Sequence, residues 1–83
     1  MEQVVRTSEQ LGNFLQRRRR QLALTQQQLA AKTGVRQPTI SDLETSARET
    51  RTGTLLSTLA ALDLELVVRT RTKSSAKDIE AIF

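Results

Sequence analysis

The chain has no cysteine and no histidine. Without cysteine there is neither a disulfide framework nor thiol chemistry. With both residues missing, the usual zinc sites and the Ser-His and Cys-His nucleophile pairs are excluded. No apolar run approaches the length of a membrane span or of a signal peptide's core, so the expectation is a soluble, cytoplasmic protein. The sequence also lacks an internal repeat, a glycine-rich phosphate loop and a cluster of metal ligands. Asp42 and Glu44 lie two apart in a helical pattern and point in different directions, so they are not a catalytic carboxylate pair. The expectation is a chain that is not an enzyme and needs no cofactor.

What is present is a short, basic sequence. Its 83 residues make one domain with a small core, and a domain this size often gains stability by oligomerising. The net charge of +4 and a pI near 10.7 favour a polyanionic partner. Arginine outnumbers lysine, which suits bidentate contacts to phosphate and guanine.

The stretch from Thr25 to Glu44 carries the densest signal. Thr25 can cap a helix, and Gln28, three residues on, can reach back to the cap's own N–H. Leu29 and Ala30 face inward. Gly34 stands where a left-handed residue ends the helix and turns the chain. A second helix begins within Arg36–Pro38, because proline in a first turn forfeits no helical bond. Ile40 and Leu43 then recur on its buried face. Arg36, Gln37, Thr39, Ser41 and Asp42 are left on the polar face, where a merely solvated helix would more often carry Lys and Glu.

Before this stretch, residues 1–7 form an arm, and Thr7 with Gln10 repeats the capping-box pattern for a helix from Ser8 to Leu22. Leu11, Phe14, Leu15 and Leu22 fall on one face of that helix. The run Arg17–Arg20 spans more than one turn, so its members face different ways. Arg17 and Arg20 read as a solvated face, and the stem of Arg18 packs while its head reaches solvent. After the stretch comes a polar loop in which Arg48 and Arg51 are placed to meet a phosphate backbone or are simply solvated. Thr52 caps a helix running to Leu62, with Leu55, Leu56, Leu59 and Leu62 inward, so that residues 8–62 form a four-helix domain.

The period then changes. Residues 63–72 alternate, with Leu64, Leu66 and Val68 on one side and Glu65, Val67, Arg69 and Arg71 on the other. A lone strand cannot leave its backbone groups unpaired, and Gln3–Arg6 is a short partner. The expectation is an all-α domain with one C-terminal strand, paired across the two-fold axis of a homodimer through Leu64, Leu66, Val67 and Val68. Residues 73–83 read as a flexible tail. Its Ile79, Ile82 and Phe83 either fray or dock in a partner's groove.

Gln26, Leu29, Ala30, Gly34, Val35, Ile40, Leu43 and Glu44 together resemble the helix-turn-helix of the Xre/Cro repressor family. That resemblance implies an ion pair between Arg19 and Glu44 that locks the first helix to the third. The wider layout is similar to the HipB class of antitoxins, over roughly residues 7–70. It implies a bacterial, nucleoid-associated dimer that binds an inverted-repeat operator in double-stranded DNA, represses its own operon and restrains a HipA-like Ser/Thr kinase toxin. On groove chemistry, Thr25, Gln26, Thr39, Arg48 and Arg51 would contact phosphate. Arg36 would read guanine and Gln37 adenine, Pro38 would touch a thymine methyl, and Ser41 and Asp42 would lie one turn further along. A stand-alone or phage-type repressor, and a helical interaction module without a DNA role, are the competing readings.

Overall fold

Threonine hydroxyls start the first two helices. In the computed structural model, which describes residues 2–71, α1 (Ser8–Gln21) is capped by Thr7, whose Oγ1 accepts from the Gln10 N–H at 3.0 Å. The reciprocal half of that capping box is displaced by one residue. The Gln10 side chain accepts from the Arg6 N–H at 2.8 Å, not from Thr7. At α2 (Gln26–Thr33) the box is complete, with Gln28 N–H to Thr25 Oγ1 at 3.0 Å and Thr25 N–H to Gln28 Oε1 at 2.8 Å. Gly34 ends α2 at φ 74°, a conformation that costs glycine little.

α3 (Gln37–Thr45) starts after Arg36, with Pro38 in its first turn, and ends on Ser46 in the left-handed region. α4 (Thr52–Ala61) is entered through Arg51, without a side-chain cap. Thr52 is therefore the first helical residue rather than the cap expected from sequence.

Leu15, Leu29, Ala30, Ile40, Leu43, Leu59 and Leu62 form the buried core, with Leu11, Phe14, Leu24, Val35, Leu55 and Leu64 packed against it. Two expected core residues are exposed, Leu22 and Leu56. Leu22 caps the end of α1, beyond the packed face. Leu56 lies off the 55/59/62 stripe, and the inward position beside that stripe goes to Thr58. Burial of Thr58 is tolerated because its hydroxyl donates to Thr54 O at 2.8 Å.

α3 packs against both α1 and α2, and α2 also packs against α4. The α1–α3 crossing is close enough to require glycine. A Cβ on Gly12 would lie 2.7 Å from the Leu43 carbonyl oxygen and nearer still to that of Glu44. Both obstructing atoms are backbone, so no side chain can swing away.

The chain beyond α4 departs from the sequence reading. Among the described residues none is assigned to a strand, and residues 64–71 carry no ladder. The reason is that a strand exists only with a partner, and within the chain the arm (residues 2–6) lies nearby without completing one. Arg69 Nη1 donates to Glu2 Oε1 at 2.9 Å. A groove of about 840 Å³ opens there, lined by Val4, Leu11, Phe14, Leu55, Leu66 and Val68 among others. Leu64 is half-buried, whereas Leu66 is exposed, Val67 is 69% exposed and Val68 is 89% exposed. The tail residues Ile79, Ile82 and Phe83 lie outside the described residues.

Gly12→Ala forces the two helices apart and is expected to destabilise the fold by about 1–3 kcal/mol, as overpacking does. A lowered urea midpoint with an unchanged slope is the expected result.

Candidate nucleic-acid interface

Arg19 and Glu44 form a buried pair, 8% and 4% exposed. The guanidinium meets the carboxylate in fork geometry, Nε to Oε2 at 2.7 Å and Nη2 to Oε1 at 3.0 Å. Its Nη1 donates to the Leu24 carbonyl at 2.8 Å. One side chain thus joins α1, the α1–α2 turn and the end of α3. The hydrogen bonds to Glu44 raise the Arg19 pKa above its ordinary value. Burial pulls the other way, and the Glu44 charge adds to the rise.

The pair continues outward. Gln26 Nε2 donates to Glu44 Oε1 at 3.2 Å, and Gln37 Nε2 donates to Gln26 Oε1 at 2.6 Å. The first residue of α2 is thereby bonded to the first residue of α3. Sequence reasoning placed Gln26 and Gln37 on the same surface but missed the bond between them, since no spacing rule relates residues eleven apart across a turn.

These residues border one cleft of about 590 Å³, lined by Arg19, Arg20, Thr25, Gln26, Gln27 and Gln37 among others. Arg20, read from sequence as part of a solvated face, borders this cleft. Arg20 is exposed, as expected, and Arg18 is half-buried. The Arg18 Nε donates to the Leu62 carbonyl at 3.0 Å, a link to the end of α4 that the sequence reading did not contain.

Arg36 and Pro38 are exposed at the start of α3, and Thr39, Ser41 and Asp42 are half-buried along it. Asp42 Oδ2 lies 3.8 Å from Arg48 Nε, an exposed pair of little energetic weight. The acid therefore faces the α3–α4 loop. Arg51 is exposed at the entry to α4. Among the described residues no group of His, Cys, Asp and Glu could hold a metal ion, and no helix is long and apolar enough to cross a membrane.

A helix-turn-helix family model matches residues 15–68. The chain belongs to the Xre/Cro-type helix-turn-helix family. Solved HipB structures share its fold. A HipB variant in an "O2 20mer complex" matches with a TM-score of 0.79 at 30% identity, covering 87% of this chain and 100% of that one. The HipB chain of a "HipA-HipB-O2-O3 complex" matches at 0.76 and 32% identity, covering 84% and 100%. A "HipB-O4 20mer complex" matches at 0.78 and 31%, covering 86% and 100%. No curated protein sequence matches the chain. This is a helix-turn-helix DNA-binding protein, structurally like HipB, of a non-enzymatic family.

Removing one partner of the buried pair strands the other charge. Arg19→Ala is expected to cost about 3 kcal/mol, and Arg20→Ala, on the surface, under about 0.5 kcal/mol. Urea denaturation of the two variants side by side checks the contrast.

Proposed function

We propose that this chain is a dimeric, sequence-specific DNA-binding antitoxin that represses its own operon and neutralises a HipA-like Ser/Thr kinase toxin. The observation that carries the DNA-reading part is the bonded Gln26–Gln37 pair at the two helix starts, 2.6 Å apart. It joins the element that meets the backbone to the element that enters the groove. The first-turn N–H groups of Gln26 and Gln27 have no acceptor within α2 and, with Thr25, suit a phosphate oxygen. Thr39, Arg48 and Arg51 add backbone contacts that set register without reading sequence. Arg36 reads guanine and Gln37 adenine in the major groove, with Pro38 against a thymine methyl. Ser41 and Asp42 lie deeper along the recognition helix, and Arg48 partly screens the acid from phosphate.

The antitoxin part rests on likeness. A HipB chain of known structure, 32% identical and matched over its whole length, is named with HipA and operator sites in one complex. A stand-alone repressor is the second reading, supported by the family model, whose description is the helix-turn-helix alone. Co-purification from the native host with a tagged copy of the chain separates them. Recovery of a kinase-like partner supports the antitoxin. Operator repression with no such partner supports the stand-alone repressor.

The dimer reading is supported by the exposed run Leu66–Val68, which lines a groove together with Val4, Leu11 and Phe14. Two such runs paired antiparallel about a two-fold axis would supply each other's missing hydrogen bonds and cover, with Leu64 at the edge of the core. The recognition helices would then stand about 34 Å apart, or a multiple of it, and demand an inverted-repeat operator.

Gln37→Ala is expected to cost about 1–3 kcal/mol on the cognate site and little on random DNA. Gln26→Ala weakens binding to both. Titrations of each variant on both duplexes decide the assignment.

Val67→Pro removes an N–H donor from the centre of the proposed ladder. The expected protein keeps its helices by circular dichroism, shifts toward monomer in the ultracentrifuge and binds the operator far more weakly, because each half-site then binds alone. An unchanged dimer with normal operator affinity would place dimerisation elsewhere.

A further inference from the structure

The charges beyond α4 come in a definite order. Asp63 and Glu65 precede Val67, and Arg69 and Arg71 follow it, each at every second residue. In a strand that spacing puts them on one face. Two copies laid antiparallel about a two-fold axis through Val67 would set Glu65 of each opposite Arg69 of the other. We infer that this charge order fixes the register and selects the partner: residues 65–69 are self-complementary and fit a second copy of this chain. The inference rests on the proposed dimer strand and adds what aligns it.

Backbone bonding limits where a ladder can begin. Asp63 is left-handed at φ 58°, and the Leu64 N–H is already spent on the Leu59 carbonyl at 2.8 Å. The ladder therefore starts no earlier than Glu65, and one centred on Val67 ends at Arg69 in both copies. Within it Val67 meets Val67, Leu66 meets Val68, and each carboxylate meets a guanidinium. Moving the axis to Leu66 sets Glu65 against Val67, and moving it to Val68 sets Arg69 there. Either slip opposes a charge to a valine and forfeits both Glu65–Arg69 pairs. An axis between residues would bring the charged face of one copy beside the apolar face of the other. Unlike charges directly opposite stabilise a strand pair and like charges weaken it, so a chain with another charge order is rejected. Glu65 and Arg69 are both exposed, and Glu65 has no ion-pair partner among the described residues. Arg69 already holds a carboxylate, that of Glu2, at 2.9 Å. That exposed pair carries little energy, so Glu65 of a second copy can replace it.

The test measures dimer dissociation of the full chain by sedimentation at one low salt concentration, where screening is weak. The samples are wild type, Glu65→Arg, Arg69→Glu, an equimolar mixture of those two variants, and the chain carrying both exchanges. Each single variant is expected to dissociate about tenfold more readily, because two unlike pairs per dimer become two like pairs. The mixture and the double exchange are expected to return to wild-type affinity, since both again oppose Arg to Glu. Single variants that dimerise like wild type, or that neither route rescues, would overturn the register. Glu2→Gln is expected to leave the dimer at wild-type strength. A dimer lost in Glu2→Gln would assign Arg69 to the arm and overturn the pairing. Val67→Pro, measured in parallel, separates this inference from the dimer reading. If Val67→Pro leaves the dimer intact, or the wild type is a monomer, the strand falls as an interface and the register with it. If Val67→Pro breaks the dimer and the exchanges fail to rescue, the strand stands and the charge register alone falls.

Discussion

The Arg19–Glu44 pair is the constraint on which the rest of the structure depends. α3 is nine residues long and α2 eight, too short to be stable helices in isolation. Their placement is set by what they pack on, α3 on α1, which it meets across Gly12, and α2 on α3 and α4. The bare glycine lets the backbones approach. The ion pair then fixes rotation and register, because a two-bond fork tolerates little slip. A buried pair of this kind adds little net stability, since both charges lose water. Its consequence here is geometric: the acidic end is also the anchor from which Gln26 and Gln37 are aligned.

The two faces of the domain contrast in how complete they are. On the helix-turn-helix side, polar atoms are partnered from the core outward, Arg19 to Glu44 to Gln26 to Gln37. Beyond α4, Val67 and Val68 face solvent and line a groove together with the arm (residues 2–6). For so small a core, exposed valine and leucine in a β-type sequence carry a cost that burial would remove. Within the described residues the cover amounts to a short arm and one exposed ion pair from Arg69 to Glu2.

Much of the domain was legible in the sequence because its signals are local. Thr25 with Gln28, Gly34 after the helix, and Pro38 at the start of the next act within a few residues, and the α2–α3 unit follows from them. The spacing of Leu55, Leu59 and Leu62 likewise set the inner face of α4. Leu56 was misread because an apolar letter beside a stripe looks like part of it, and only packing assigns that inward place to Thr58. The strand over 63–72 was read from alternation, which records a preference for a pleated surface. A ladder also needs a second strand, and no sequence pattern in this one chain supplies it.

By itself, then, the sequence determined where helices start and stop and which residues could face DNA, since capping, turn conformation and helical period are short-range. It also determined the family, through the spacing of a handful of residues. Only the tertiary structure decided that Gly12 is the contact point of two backbones, that Arg18 bonds to the end of α4 and Arg20 borders the cleft, and that Gln26 holds Gln37. Those facts depend on residues up to 44 positions apart meeting in space. The direction of a hydrogen bond between two amides depends in turn on the charged group to which the first is bound.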